Sequence, residues 1–418
     1  MRIMSIIATW APHSFGGAEV SASNLSKWLL KQGHTMGVLT SADDKDEEWR
    51  DHVEDGRHIW RFHFPRRYTF WEHEKASRLQ KMIWHLQDHF DPRNRKLVAK
   101  TLDEFKPDFA LIHVVSGMGY NALYELAKRD IPAIYFMHDL NIACGKGSLF
   151  KNGKDCDKRC FSCKIASRLR FAAATSIPRI SFCSNSQANL ARASKFVPIK
   201  AFNHTAIFNA NIYPKPIIPR QKADHLRLLF VGRIHAVKGI PILLGALNTL
   251  AEKYRFTITV LGKGPEEETL HKCYGSLPWC RFMGHVSQQE VSDVMQNSDL
   301  LCVPSVWAEP LGGVVVQALQ LGLPVLGSDK GGIPELIQHG ENGLLVPAGD
   351  MNAWRESLAS VFENPSLLDT WRAFAQQDAS RFNQDVLGRR IFDLIQQTMA
   401  LKPGSSSLPN SKDISREP

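Results

Sequence analysis

The residues with the most chemical promise sit in short loops that follow apolar runs. Val231-Gly232-Arg233 closes one such run, and Lys238-Gly239 follows five residues later, ahead of a helical pattern. An Arg and a Lys converging at a strand end could neutralise a diphosphate without a metal, the guanidinium as a fork and the ammonium as a point charge. Two solvated loop cations would give the same pattern. Gly262-Lys263-Gly264-Pro265 ends another run and offers a second phosphate-sized turn. Next, Glu309-Pro310-Leu311-Gly312-Gly313-Val314 leads into an apolar helix expected to begin near Gly312. The free amides and positive dipole end of that helix would face phosphates. Glu309 stands outside the helix, where a carboxylate can accept hydrogen bonds from two sugar hydroxyls. Gln317 lies further along, placed for another hydroxyl contact.

The first half is less explicit. Gly16-Gly17 lies in the loop after the opening apolar run, just before a helix, and two glycines there let backbone approach a phosphate. A plain tight turn would look the same. His52, His58, His63, His73, His85, His89 and His113 suggest a metal at first sight, and His85 and His89 could share a helix face. They lack an accompanying Asp, Glu or Cys frame, so solvated or stacking histidines are the simpler reading. Four of the eight cysteines fall together: Cys144, Cys156, Cys160 and Cys163. Four thiolates could hold a structural zinc, and an iron–sulfur cluster is a weaker candidate. Free thiols and disulfides are the alternatives. The Lys and Arg around Cys156, Cys160 and Cys163 would depress their thiol pKa values.

These loops need elements to hold them. Apolar stretches at 2–8, 36–40, 109–115 and 133–139 alternate with helical patterns, which implies βαβ units and a parallel sheet. After a Pro-rich stretch at Tyr213 to Pro219 the pattern restarts, with strands expected at 226–231, 256–262, 300–305, 323–329 and 343–349. The economical reading is one α/β domain over 1–215 and another over 222–380, then a helix at 381–400 crossing back to the first, and a disordered tail at 401–418. Residues 41–106 read as an insertion dense in aromatics and bases. It is either a local helical subdomain or a surface for a lipid-linked acceptor. The Cys-rich loop spans 144–163.

At 418 residues, with 44% hydrophobic and 22% charged residues, the chain has the composition of a folded two-domain protein. That excludes wholesale disorder, collagen and a polytopic membrane protein, since no apolar run nears the roughly 18 residues a spanning helix needs. Met1 to Trp10 reads as a first strand and not a signal peptide, so a cytoplasmic location is expected. The net charge of +9 is uneven: residues 1–219 carry 32 Lys and Arg against 21 Asp and Glu, and the remainder 19 against 21. A basic first half suits a phosphorylated ligand or an anionic membrane surface. No nucleic-acid recognition motif accompanies it.

Taken together, PHSFGGAE (12–19), FMHD (136–139), VGRIHAVKG (231–239), LGKGP (261–265), SVWAEPLGGVVVQALQLGLPV (305–325), GGIPEL (331–336) and ENGLLVPAGD (341–350) resemble the GT-B glycosyltransferases. The closest pattern is that of the retaining family 4, or group 1, type. The resemblance runs in order over about residues 1–400 and is most specific in the C-terminal half. It implies an α/β GT-B fold of two Rossmann-like doubly wound domains facing each other across a cleft. The first domain would take the acceptor and the second a nucleotide-sugar donor. Arg233 and Lys238 would bind the donor diphosphate, Glu309 the donor sugar and Gln317 the ribose. Gly262, Gly264 and Leu311 to Val314 would line the donor, and Gly16 and Gly17 would close over its phosphates. His138 would stand near the transferred sugar, and a donor phosphate oxygen would receive the acceptor's proton.

No cofactor beyond the donor is expected for the reaction. The expected acceptor is a glycan or a lipid-linked molecule, with the protein at the inner face of a membrane. One position departs from the family pattern: a second Glu is usual where Gln317 stands, which keeps a non-catalytic GT-B scaffold open as an alternative. A dinucleotide-binding dehydrogenase is excluded, because no G-x-G-x-x-G follows the first strand.

Overall fold

The computed structural model describes residues 1–12, 16–42, 48–64, 77–221 and 223–404. Residues 13–15 of the first glycine loop, the cluster Arg66 to Trp71, His73 and the expected tail beyond 404 lie outside them. The chain forms two compact units, one of Met1–Leu149, Lys158–Asn211 and the chain from Gln384, the other of Phe150–Asp157 and Ile212–Asn383.

The first unit is built on an eight-stranded sheet. Its strands are β1 (Arg2–Ile6), β2 (Thr35–Ser41), β3 (Trp49–Glu54), β4 (Arg57–Phe62), β5 (Phe109–Ile112), β6 (Ala133–Met137), β9 (Ile180–Ser184) and β10 (Asn203–Ala206). A short hairpin, β7 (Phe150–Lys151) and β8 (Lys154–Asp155), belongs to the second unit. The sheet order is β10-β9-β6-β5-β1-β2-β4-β3, parallel except for edge strand β3. Strands β5, β6 and β9 are buried along their whole length, as parallel strands covered on both faces must be.

The reading of 41–106 as a helical insertion is corrected here. Residues 49–62 form a hairpin around Asp55-Gly56, and β4 pairs in parallel with β2, so this stretch extends the main sheet. Among the described residues, the helices Arg78–Phe90 and Pro92–Phe105 answer to the helical part. The last helix, Gln384–Ala400, buries Leu387, Ile391, Leu394 and Ile395 against Leu25, Trp28 and Leu29 of the helix Gly17–Lys31. Trp28 Nε1 donates to Asp385 at 2.8 Å, fixing the start of that helix.

The second unit carries six parallel strands: β11 (Leu226–Val231), β12 (Phe256–Leu261), β13 (Cys280–Gly284), β14 (Leu300–Val303), β15 (Val325–Ser328) and β16 (Gly343–Val346). Their order is β13-β12-β11-β14-β15-β16. The core joins Leu243, Leu244 and Leu247 of the helix Ile240–Leu250 to Trp354 and Leu358 of the helix Met351–Glu363. In both units the chain reverses its direction of travel across the sheet beside the first strand, between β1 and β5 and between β11 and β14. Ligand sites of open α/β sheets form at such switch points, beyond the carboxyl ends of the strands.

Candidate active site

The second unit's switch point gathers the residues that the sequence singled out. Lys238 closes the short turn after β11, and Glu309 follows β14. Lys238 Nζ donates to Glu309 Oε1 at 2.6 Å, and Ser305 Oγ donates to the same oxygen at 2.6 Å. The Lys238 ammonium also lies 5.6 Å from the centre of the Trp307 ring. Glu309 is buried, which alone would raise its pKa, but the Lys238 charge and the Lys238 and Ser305 hydrogen bonds outweigh burial and hold it below the usual value. Two glycines set this geometry. Gly331 adopts φ +67°, and a Cβ there would meet the Glu309 carbonyl oxygen at 2.3 Å. Gly262 adopts φ +133°, and its Cβ would meet the Gly232 oxygen at 2.0 Å, so the turns after β11 and β12 lie backbone to backbone.

Arg233 is exposed in the loop after β11. The helix Gly313–Gln320 starts where expected, with Gly312 at its N-cap in the left-handed region. Leu311 is buried beneath that loop. Gln317 is buried, and its Nε2 donates to Ser292 Oγ at 3.1 Å. Lys330 escaped the sequence reading although it directly precedes the GGIPEL motif: its Nζ donates to the Val306 carbonyl at 2.8 Å, on the loop that carries Glu309.

The first unit's switch point holds a different set. Gly16 caps the helix Gly17–Lys31 in an extended conformation, and a Cβ on Gly17 would meet nothing within 4 Å, so protein packing does not demand glycine there. Glu19, in the first turn, accepts a hydrogen bond from Thr9 Oγ1. Burial raises its pKa against that bond. Beyond β5 stands His113 and beyond β6 His138, their ring nitrogens Nδ1 and Nε2 2.8 Å apart. Asp139 follows, its carboxylate accepting from the Asn141 amide at 2.8 Å. Arg170 is buried and donates to the Asn141 carbonyl at 2.7 Å, pinning the loop after Asp139. Sequence reasoning did not single out Glu19, Asp139 or Arg170. The first two lie inside the quoted motifs, and Arg170 is 29 residues from the loop it holds.

None of the eight cysteines is joined in a disulfide, and Cys144 Sγ lies 3.8 Å from Cys163 Sγ. Among the described residues no group of three or more His, Cys, Asp or Glu side chains is gathered so as to hold a metal ion. The expected depression of the thiol pKa is reversed at Cys163: burial pushes it up to about 12, and the neighbouring Cys144 and Cys160 add to the rise. Of the paired histidines of the helix Arg78–Phe90, His89 stacks against Tyr120 with ring centres 5.5 Å apart, and His85 meets Trp84 edge-on. The side of this helix away from the buried Trp84 and Asp88 is unusual. Leu79, Met82, Leu86 and Phe90, spaced along one stripe, are each more than half exposed. Among the described residues no helix is long and apolar enough to cross a membrane.

Two α/β units, each on a mainly parallel sheet with charged and glycine-rich loops at its switch point, have the architecture of the GT-B fold. Solved structures carry the same fold. Sucrose-phosphate synthase of Thermosynechococcus elongatus superposes with a TM-score of 0.73 at 16% identity, over 96% of this chain and 99% of that one. HepE of Anabaena, in complex with UDP and glucose, gives 0.66 at 19% identity over 95% and 100%. The model of glycosyl transferases group 1 matches residues 217–378, and that of the glycosyl transferase 4-like domain matches 16–201. The chain belongs to the group 1 glycosyltransferases. A phosphatidyl-myo-inositol mannosyltransferase of Mycobacterium leprae is 31% identical over 166 residues, 39% of this chain and 44% of that protein. That alignment therefore spans less than half of the relative's length.

Proposed function

We propose that the protein is a retaining, metal-independent glycosyltransferase. It would move a sugar from a nucleotide-sugar donor to a glycan or lipid-linked acceptor, in cell-surface polysaccharide or glycolipid biosynthesis. The observation that carries this reading is the Lys238–Glu309 pair at the switch point of the second unit. A donor diphosphate leaving from that point needs positive charge as its bond to the sugar breaks. Arg233, Lys238 and the N-terminus of the helix Gly313–Gln320 supply charge where another enzyme would place a divalent cation. Glu309, kept ionised by Lys238, is an acceptor suited to sugar hydroxyls. Retention follows the family resemblance and is tested by the anomer of the product.

For the acceptor, the reading rests on the first unit. The stripe Leu79, Met82, Leu86 and Phe90 presents an apolar surface, and Arg93, Lys96 and Lys100 are exposed on the helix that follows. That combination suits association with the anionic inner face of a membrane, where a lipid-linked acceptor would reside. The mycobacterial relative's name points to a lipid acceptor of its own.

A thermal-shift screen against nucleotide sugars and nucleoside diphosphates, with and without chelator, tests the proposal. Stabilisation by one nucleotide family, unchanged by chelator and accompanied by turnover of its sugar, supports it. Stabilisation without turnover on any acceptor favours the non-catalytic scaffold. No stabilisation by any nucleotide overturns the donor site.

A further inference from the structure

His113 and His138 meet edge to edge. Their ring centres are 5.1 Å apart, their planes differ by 23°, and His113 Nδ1 lies 2.8 Å from His138 Nε2. That separation with so short a nitrogen contact describes two rings in line, joined by a hydrogen bond, and not a face-to-face stack. The face of His113 is instead covered by Phe136, with centres 4.9 Å apart and planes within 11°. His113 is 2% exposed, and its backbone N–H donates to the Ile6 carbonyl of β1, so the ring has a fixed place in the sheet. Its other nitrogen, Nε2, is buried with no partner among the described residues.

Only one proton can lie between the two rings. In one arrangement His138 Nε2 donates, and the His113 proton must then sit on Nε2 as a buried N–H without an acceptor. In the other, His113 Nδ1 donates, and Nε2 keeps only an unused lone pair. Buried N–H groups left without an acceptor are the rarer and costlier kind of orphan. The second arrangement therefore prevails.

We infer that His113 is a positioning residue for His138: its Nδ1–H bonds His138 Nε2 and thereby fixes the His138 proton on Nδ1. The remaining edge of His138, which makes no hydrogen bond among the described residues, then presents an N–H donor. On the proposed function, on which this step rests, that N–H is available to donate to a sugar oxygen. With its Nε2 lone pair already engaged, His138 cannot take the acceptor's proton. Its task is to orient the sugar, and the proton goes elsewhere.

The test uses the full chain labelled with 15N-histidine, with His138 assigned by comparison with His138→Gln. The wild type should show His138 protonated at Nδ1 only. His113→Phe keeps a flat apolar ring but removes the donor, and should release His138 to a mixture of tautomers. His113→Asn places an amide N–H near the lost Nδ1 and should restore the single tautomer. Turnover should follow: a loss of about tenfold or more in kcat for His113→Phe with the donor KM little changed, and substantial recovery in His113→Asn. A wild-type His138 protonated at Nε2, or an unchanged tautomer in His113→Phe, overturns the inference. Failure of every nucleotide sugar as donor would sink the proposed function instead, and the tautomer result would be unaffected by it.

Discussion

Lys238 and Glu309 are 71 residues apart in sequence and 2.6 Å apart in space. The parallel pairing of β11 with β14, with Leu228 opposite Leu300, brings their loops to one end of the sheet. Glu309 is the more buried partner, so the pair's stability hinges on the lysine.

Lys238→Ala should therefore damage stability and activity together. Burial is the largest influence on the Glu309 carboxyl, and without the ammonium it acts with less opposition. Removing one member of a buried pair costs about 3 kcal/mol, read by urea unfolding at pH 7. The sign with pH follows from the depressed carboxyl. Its stabilising contribution is present above the unfolded-chain value, near about 4.3, and is lost as pH falls through the lower folded value. The gap between wild type and Lys238→Ala should accordingly close in acid. The double variant Lys238→Ala/Glu309→Gln should regain stability without regaining transfer. Wild-type turnover in Lys238→Ala or in Glu309→Ala would remove the pair from the active site.

Gln317→Glu tests the departure from the family pattern. Ser292 Oγ already donates to the Gln288 carbonyl at 3.2 Å and accepts from Gln317 Nε2. A glutamate would bring a charged acceptor to an oxygen whose proton is in use, at a buried position. The expected cost is about 1–3 kcal/mol of stability, measured by urea unfolding, with no gain in nucleotide affinity. A variant of undiminished stability that binds nucleotide more tightly would show that this side chain reaches the ligand.

How much of this was legible in the sequence depends on whether the signal was local. The run Leu226 to Val231 and the cationic loop after it could be read directly, because the central Leu228, Leu229 and Phe230 are apolar and buried and the loop is not. The start of the helix at Gly313 was marked by its paired glycines. Partners distant in the chain carried no such mark: Ser292 for Gln317, Arg170 for the Asn141 loop and His113 for His138 are set by how distant elements pack. The β3–β4 hairpin was missed for another reason. As an edge strand, β3 is largely exposed and polar, so its sequence lacks the alternation that identifies strands, leaving only Asp55-Gly56 as a turn signal. At Cys163 the surrounding basic residues were visible, whereas burial, which decides the direction of the shift, was not.

The exposed stripe on the helix Arg78–Phe90 predicts co-sedimentation with vesicles containing anionic lipid. Leu86→Glu/Phe90→Glu places two charges on that stripe and should reduce the bound fraction severalfold, without lowering the melting temperature, because both side chains are more than half exposed. Raised salt should weaken wild-type binding through screening of the basic residues. Binding insensitive to both the substitution and salt would remove this helix from any membrane role.

The two side chains after β6 should titrate in opposite senses. Burial lowers His138 to about 4, whereas burial raises Asp139 to about 6, against the Asn141 amide hydrogen bond and the Arg170 charge. A carboxyl raised by folding stabilises below its unfolded value, about 3.9, and that contribution disappears as pH climbs through 6. An imidazole lowered by folding contributes fully above about 6.5 and loses that contribution as pH drops towards 4. Burial lowers His113 in the same direction, so it adds to the histidine side. Between pH 4 and 6 the carboxyl and the imidazoles therefore pull the stability curve in opposite directions. Asp139→Asn removes only the carboxyl's share and should make stability rise more steeply with pH across that window than in the wild type. Carbon-13 NMR of the wild-type Asp139 carboxyl should show its midpoint near 6. Parallel stability curves for the two proteins, or a carboxyl midpoint near 4, would mean that Asp139 is not held in the desolvated position beside Asn141.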